Sequence, residues 1–225
     1  MIPIRDANPS RSTPIVNYLI IATCVIVFIN ELTLGPAIRR FFMLYGIVPI
    51  RYIRPDVAAH FTFTSQLIPF FSAMFIHGGW LHLIGNMWTL YIFGDNVEHA
   101  LGHLRYLVFY ILSGIIASLI HIITNPFSPV PTVGASGAIA GVMGAYMFLY
   151  PRAKILTLVP IFFFITFVEL PAVIFIGLWF ILQFYSGTLS IIAGSGAYGG
   201  IAWWAHIGGF IGGVILLRIL KPRYE

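Results

Sequence analysis

Long runs without a charged side chain recur along this chain at close to the thickness of a bilayer. No other feature constrains the fold as much. A helix rises about 1.5 Å per residue, so roughly 20 apolar residues cross a hydrocarbon layer of about 30 Å. Such segments lie near Ile15–Leu32, Trp80–Phe93, Leu104–Thr124, Gly134–Tyr150, Pro171–Gly187 and Ile201–Leu220. Of the 225 residues, 59% are hydrophobic and 8% charged, against about a quarter charged in a soluble domain. The chain therefore reads as a polytopic membrane protein. The stretch Ile155–Leu170 is also apolar, but Pro160 interrupts it and Glu169 and Pro171 close it. Hydropathy leaves open whether it spans, lies at the interface or extends the next helix.

The net charge of +5 sits in short loops and tails. That placement reads as cytoplasmic anchoring charge and not as a nucleic-acid surface. With six spans and the N-terminus inside, the inner segments hold Arg5, Arg11, Arg105, Arg152, Lys154, Arg218, Lys221 and Arg223. Arg39, Arg40, Arg51 and Arg54 fall in the long first outer loop and count against that orientation. Eight against four still favours both termini in the cytoplasm. The expected organisation is a cytoplasmic tail at 1–14, one transmembrane catalytic domain at 15–220 and a second tail at 221–225. The first fourteen residues lack the apolar core and cleavage site of a secretory signal, so the first hydrophobic segment is expected to be retained. The lone cysteine, Cys24, permits no internal disulfide.

Two motifs inside the apolar segments carry chemistry. One is Gly134-Ala135-Ser136-Gly137; the other is Ala205-His206-Ile207-Gly208-Gly209. A hydroxyl flanked by glycines and an imidazole on another membrane helix suit a nucleophile and its base. Ionisable groups inside a membrane are costly and are functional candidates for that reason. Small residues recur every four positions through Ala205, Gly209 and Gly213, and Gly137 and Gly141 follow Ser136. Stripes of this kind pack helices closely, and such packing is the bland alternative for these glycines. His82 and Asn86 share one face of the second span, with His77-Gly78 before them. A His-x-x-x-Asn pair is a poor metal set, and two donors at the depth of Ser136 suit an oxyanion hole better.

Helical rise places these groups at one depth. Ser136 to Tyr150 covers about 21 Å, His206 to Arg218 about 18 Å and His82 to Asp95 about 20 Å. All three residues then lie roughly 10 Å below the outer surface of a ~30 Å core. Sharing a depth requires the helices of Ser136 and His206 to run in the same direction, so one crossing separates them. On that argument Ile155–Leu170 makes no crossing of its own, and an interfacial or partly buried segment fits it better. Asp95 and Glu98 lie too deep to orient His206 and are expected to form a structural cluster with Arg105. The machinery is then a Ser–His dyad without an acidic third member.

Taken together, His77-Gly78, His82 and Asn86, then Gly134-Ala135-Ser136-Gly137, then Ala205-His206 with Gly209 and Gly213 resemble the rhomboid family of intramembrane serine proteases. Glu98 and Gly102 match the family's turn after the second span. The resemblance runs from about Phe71 to Leu217. It implies an all-α polytopic membrane protein, a six-transmembrane-helix rhomboid-like bundle with a long first outer loop, close to the family's minimal bacterial core. It further implies Ser136 as nucleophile, His206 as general base, and an oxyanion hole from His82, Asn86 and the Ser136 backbone N–H. No metal or other cofactor is implied. The expected partners are transmembrane proteins with a helix-destabilised membrane segment and the lipid bilayer; a bacterial inner (plasma) membrane is the expected location. Two positions depart from the pattern. Ile68-Pro69 stands where a Trp-Arg pair often precedes the first histidine. Ala140 stands where some members stack a tyrosine on the catalytic histidine, so another group must hold His206. Trp179, Phe180 and the glycine-rich loop Thr188–Gly200 suggest a gate and cap. The alternatives are a catalytically inactive relative that binds membrane segments in quality control, and a small transporter, which would need a polar track through the bundle.

Overall fold

The computed structural model describes residues 1–10, 12–161, 164–192 and 202–222. Strand β1 (Ile2–Asp6) precedes helix α1 (Ile15–Thr33). Five short helices follow in the first long loop: α2 (Ile38–Tyr45), α3 (Ile50–Ile53), α4 (Pro55–Ala58), α5 (Phe63–Leu67) and α6 (Pro69–Ser72). Helices α7 (Trp80–Leu101), α8 (His103–Thr124) and α9 (Ser136–Leu149) come next, then strands β2 (Lys154–Ile161) and β3 (Phe164–Pro171). Helices α10 (Ala172–Ile192) and α11 (Trp203–Leu220) complete the chain. By length and composition, α1, α8, α10 and α11 can each cross a membrane. The segment Phe63–Phe75 and α7 together make a fifth candidate, bent by 77° at the break. Helix α9 has only 14 residues, because it begins inside the bundle at Ser136 and not at its surface.

The core gathers around α9. Its residues Ala138, Ile139, Ala140, Val142, Ala145 and Tyr146 are buried with Phe93 of α7, Phe109 and Tyr110 of α8 and Phe210 of α11. Small residues let the helices meet almost backbone to backbone. A Cβ on Gly209 would run into the Gly137 carbonyl, and one on Gly213 into the Gly141 backbone. Helices α9 and α11 are thereby pinned side by side, with Ser136 and His206 at the same end.

At the opposite end, Glu98 is buried and its carboxylate accepts the Val16 and Asn17 backbone N–H groups at 2.9 and 2.7 Å. These are two of the donors that the first turn of any helix leaves without an intrahelical partner. His103 Nδ1 lies 2.5 Å from the same carboxylate. Arg105, which sequence proximity assigns to this cluster, is exposed and takes no part among the described contacts. Two unpaired N–H groups in a dry site outcompete an arginine that water solvates well. The turn itself passes through Gly102 at φ +79°, a left-handed conformation glycine adopts without steric cost.

The segment Ile155–Leu170 makes no helical crossing. It pairs with itself as an antiparallel hairpin, Lys154 opposite Pro171 through Ile161 opposite Phe164. Strand β1 adds antiparallel to β2, from Ile2 opposite Leu158 to Asp6 opposite Ile155, giving the order β1-β2-β3. The first long loop is also ordered. Arg51, buried at its centre, donates to the Met43 and Ser65 carbonyls at 2.9 and 3.0 Å and stacks on Phe61. Arg54 pairs with Asp56. Two of the four basic residues that count against cytoplasmic termini are thus engaged inside the loop.

Candidate active site

The chain enters the site along residues 132–134. Thr132 and Ile47 exchange backbone hydrogen bonds at 2.7 and 2.9 Å, and the Gly134 N–H donates to the Ala73 carbonyl at 2.8 Å. The first long loop therefore fixes the approach to α9. At Gly134 the backbone has φ +128°, and a Cβ there would meet the His82 ring at 2.6 Å. Only glycine meets both demands. Ser136 follows as the first residue of α9, where backbone N–H groups point out of the helix unpaired and the dipole favours negative charge.

Ser136 Oγ lies 2.8 Å from His206 Nε2. On its other side, His206 Nδ1 lies 2.7 Å from Gln183 Oε1 of α10. An amide oxygen can only accept, so Nδ1 carries the ring proton and donates to it. Nε2 is left with its lone pair facing the serine hydroxyl, the tautomer a general base requires. The imidazole is flanked by Trp179, with ring centroids 6.0 Å apart, and meets Trp203 edge-on at 6.4 Å. Gln183 and these two indoles hold the ring where Ala140 leaves no tyrosine to stack on it.

His82 and Asn86 line the same cavity as Ser136 and His206, a space of about 470 Å³. Asn86 is 8% exposed, and its Nδ2 has no hydrogen-bond partner among the described residues. Buried donors are nearly always paired, so an unpaired one facing the cavity beside the Ser136 hydroxyl suits an incoming acceptor. His82 packs its ring against His77 at 5.3 Å. The His77 backbone N–H in turn donates to the buried Glu31 carboxylate at 3.2 Å.

Three polar residues of this region escape motif reading: Gln183, Glu31 and His121. Each is a polar group in a largely apolar helix, and intramembrane position is the signal that marks such residues. His121 lines the cavity, yet both its nitrogens are engaged. Asn125 Nδ2, which can only donate, lies 3.3 Å from Nδ1, so Nε2 carries the proton toward Thr132 Oγ1 at 2.8 Å. It braces the loop before Ser136 and has no free lone pair for chemistry. Of the proposed gate and cap, Phe180 packs on Phe210 of α11, while residues 193–200 of the loop lie outside the described residues.

A family model described as "Rhomboid domain" matches residues 64–223. Among curated proteins, RHOMBOID-like protein 5 of Arabidopsis thaliana is 31% identical over 155 residues, covering 68% of this chain and 44% of that protein. Rhomboid protease GluP of Bacillus subtilis is 39% identical over 74 residues, 33% of this chain and 14% of its own length. Rhomboid-like protease 5 of Toxoplasma gondii is 43% identical over 76 residues, 32% of this chain and 8% of that protein. The chain spans less than half the length of the curated relatives it matches. With a family match over most of the chain and several bilayer-length helices, this integral, multi-pass membrane protein belongs to the rhomboid family of intramembrane proteases.

Proposed function

We propose that this chain is a serine endopeptidase that hydrolyses peptide bonds in or near the transmembrane segments of other membrane proteins. The observation that carries the proposal is the 2.8 Å contact of Ser136 Oγ with His206 Nε2. As Oγ attacks the scissile carbonyl carbon, Nε2 takes its proton. The carbonyl oxygen becomes an oxyanion and takes the unpaired Asn86 donor, with His82 and the Ser136 backbone N–H beside it. Collapse expels the amine, which receives the proton from His206 and leaves an acyl-Ser136. Water, deprotonated by the same Nε2, attacks the acyl carbon; the ester bond breaks, Ser136 Oγ takes the proton back from His206, and the acid is released. Each time the imidazole becomes cationic, its bond to Gln183 strengthens. Gln183 is thus a positioning residue that supplies, without charge, part of what a carboxylate supplies in a triad.

An intact helix shields its own carbonyls, so the substrate segment must open before it reaches Ser136. Glycine, proline or polar residues near the membrane boundary favour that opening, and the family resemblance adds small residues before the cut. In this reading residues 15–220 form the catalytic domain together with strand β1, which pairs with β2 and so is not part of a free tail; residues 7–14 and 221–225 face the cytoplasm, and the cavity opens to the outer side.

The test is cleavage of a single-span substrate in proteoliposomes by wild type, Ser136→Ala and His206→Ala, with labelling by a fluorophosphonate. Wild type alone should cleave and label. Cleavage that survives Ser136→Ala sinks the assignment of the nucleophile. A folded wild type that neither cleaves nor labels favours a binding role.

A further inference from the structure

Two hydrogen bonds fix how deep the small sheet sits along α7. Trp88 Nε1 donates to the Pro3 carbonyl at 2.6 Å, and Asn96 Nδ2 donates to Asp6 Oδ2 at 3.1 Å. Trp88 and Asn96 are about 12 Å apart along the helix, and the strand from Pro3 to Asp6 covers about 10 Å. Strand β1 therefore runs beside α7 in the same direction. Trp88 stands about 10 Å from Asp95, where helical rise puts the inner boundary, and so lies inside a hydrocarbon layer of about 30 Å. Pairing carries the hairpin to that depth. Ile155 lies opposite Asp6 and Leu158 opposite Ile2, and β2 continues to Ile161. The sheet does not hang off the Glu98 end of the bundle; it rises from that end alongside the helices.

The side chains fit such a setting. No charged residue lies between Lys154 and Glu169. On β3, Phe164, Ile165, Phe167 and Val168 are 78, 67, 59 and 38% exposed. Successive strand residues point to opposite faces, so β3 is apolar and uncovered on both. Packing on one side against a protein core does not explain this; immersion in lipid does. Charge collects at the base, where exposed Lys154 and Glu169 pair at 2.9 Å. The Lys154 ammonium there holds the Glu169 carboxyl below its ordinary pKa. Arg5, one register step above Asp6, has a stem long enough to carry its charge to the same base.

We propose that the β1-β2-β3 sheet is seated in the leaflet at the Glu98 end, with the exposed side chains of β3 against lipid acyl chains. The surface is continuous with the lipid-facing sides of α7 and α10, which flank the sheet. The consequence reaches the active site. Helix α10 starts where β3 stops, and its first N–H groups, of Ala172 and Val173, donate to the Ala153 and Pro151 carbonyls at 2.8 and 3.1 Å. The turn that leads into the sheet thus holds the foot of the helix that carries Gln183.

The experiment places a nitroxide label at Phe167→Cys, and separately at Phe164→Cys, in a Cys24→Ala background. The full chain is reconstituted in phosphatidylcholine–phosphatidylglycerol vesicles, with Lys154→Cys as the headgroup reference. Both strand labels should collide with oxygen and be shielded from a water-soluble nickel chelate, giving an oxygen-to-nickel ratio several-fold above that at position 154. A ratio equal to or below the reference places the hairpin at the headgroups or in water and overturns the proposal. Shielding from both reagents, with dipolar broadening between labels, overturns it in favour of a second copy paired along β3. The two positions are exposed, so the labels leave the packed core untouched, and circular dichroism in the same vesicles verifies the fold.

Discussion

Replacing Gln183 with leucine tests how the proposed dyad, without a carboxylate, holds its base. Leucine nearly conserves volume, so the packing of α10 beside α11 changes little. What disappears is the acceptor 2.7 Å from His206 Nδ1. A hydrogen bond between neutral partners contributes about 0.5–1.5 kcal/mol net, and one to a charged group about 1.5–3 kcal/mol. In the proposed mechanism His206 is neutral with substrate bound and cationic in the transition state. The part of the bond that exists only in the transition state is therefore about 1–2 kcal/mol. At 1.36 kcal/mol per decade this gives roughly a 5- to 30-fold fall in kcat with KM little changed. Where a carboxylate performs this task, its loss costs about 10⁴-fold, and a neutral amide must fall well short of that.

The assay is initial-rate cleavage of a single-span substrate in proteoliposomes across substrate concentration, with thermal unfolding measured on the same preparations. Gln183→Glu keeps an acceptor at the same reach and should retain most of the rate. An unchanged kcat in Gln183→Leu refutes the reasoning. So does a loss confined to KM, or an equal loss in the leucine and glutamate variants. A fall matched by a collapse in melting temperature would make Gln183 a packing residue only.

Asn86→Ala removes a donor that has no partner among the described residues, so it should leave thermal stability unchanged while lowering kcat by about 10²-fold, the range for loss of an oxyanion donor. A variant that loses stability and activity in proportion would place Asn86 in the scaffold. Gly209→Ala drives a methyl group into the Gly137 carbonyl. Backbone cannot yield as a side chain does, so the cost should reach about 1–3 kcal/mol or more, read as a lower melting temperature in detergent. Activity should fall further than stability, because parting α9 from α11 separates Ser136 from His206. Glu98→Ala strips the acceptor from two N–H groups of α1, at about 1–3 kcal/mol for each group left unpaired. Glu98→Gln, which keeps one oxygen, should fall between wild type and alanine in unfolding measurements.

Some of this was legible in the sequence because the physics involved is local. Helical rise is fixed, so spacing alone put Ser136, His206 and His82 at a common depth, and their side chains do line one cavity. Shared depth also required the helices of Ser136 and His206 to run in the same direction, which left Ile155–Leu170 without a crossing. The helical bundle follows from the same rise and hydropathy. The sheet did not show itself, since a charge-free apolar run suits a buried helix and a strand equally until its partner is known. Its partner, Ile2–Asp6, lies some 150 positions away in a segment that reads as a tail.

The residues missed or misassigned share one cause. A polar group inside a bilayer is placed by whichever donor or acceptor would otherwise go unpaired, and sequence distance does not enter. Glu98 has Arg105 seven residues away, yet it serves the start of α1, eighty residues back, because those N–H groups have no water to turn to. Gln183 looks like one amide in an apolar helix until α11 brings His206 Nδ1 to it. The rule extends to Asn86, whose Nδ2 is unpaired among the described residues. Tyr110, Ser113 and Trp203 also carry unpaired buried groups, but Asn86 lines the cavity and they do not, so an acceptor arriving with the reaction can reach it. That is the physical reason to treat Asn86 as part of the chemistry and the satisfied His121 as part of the frame.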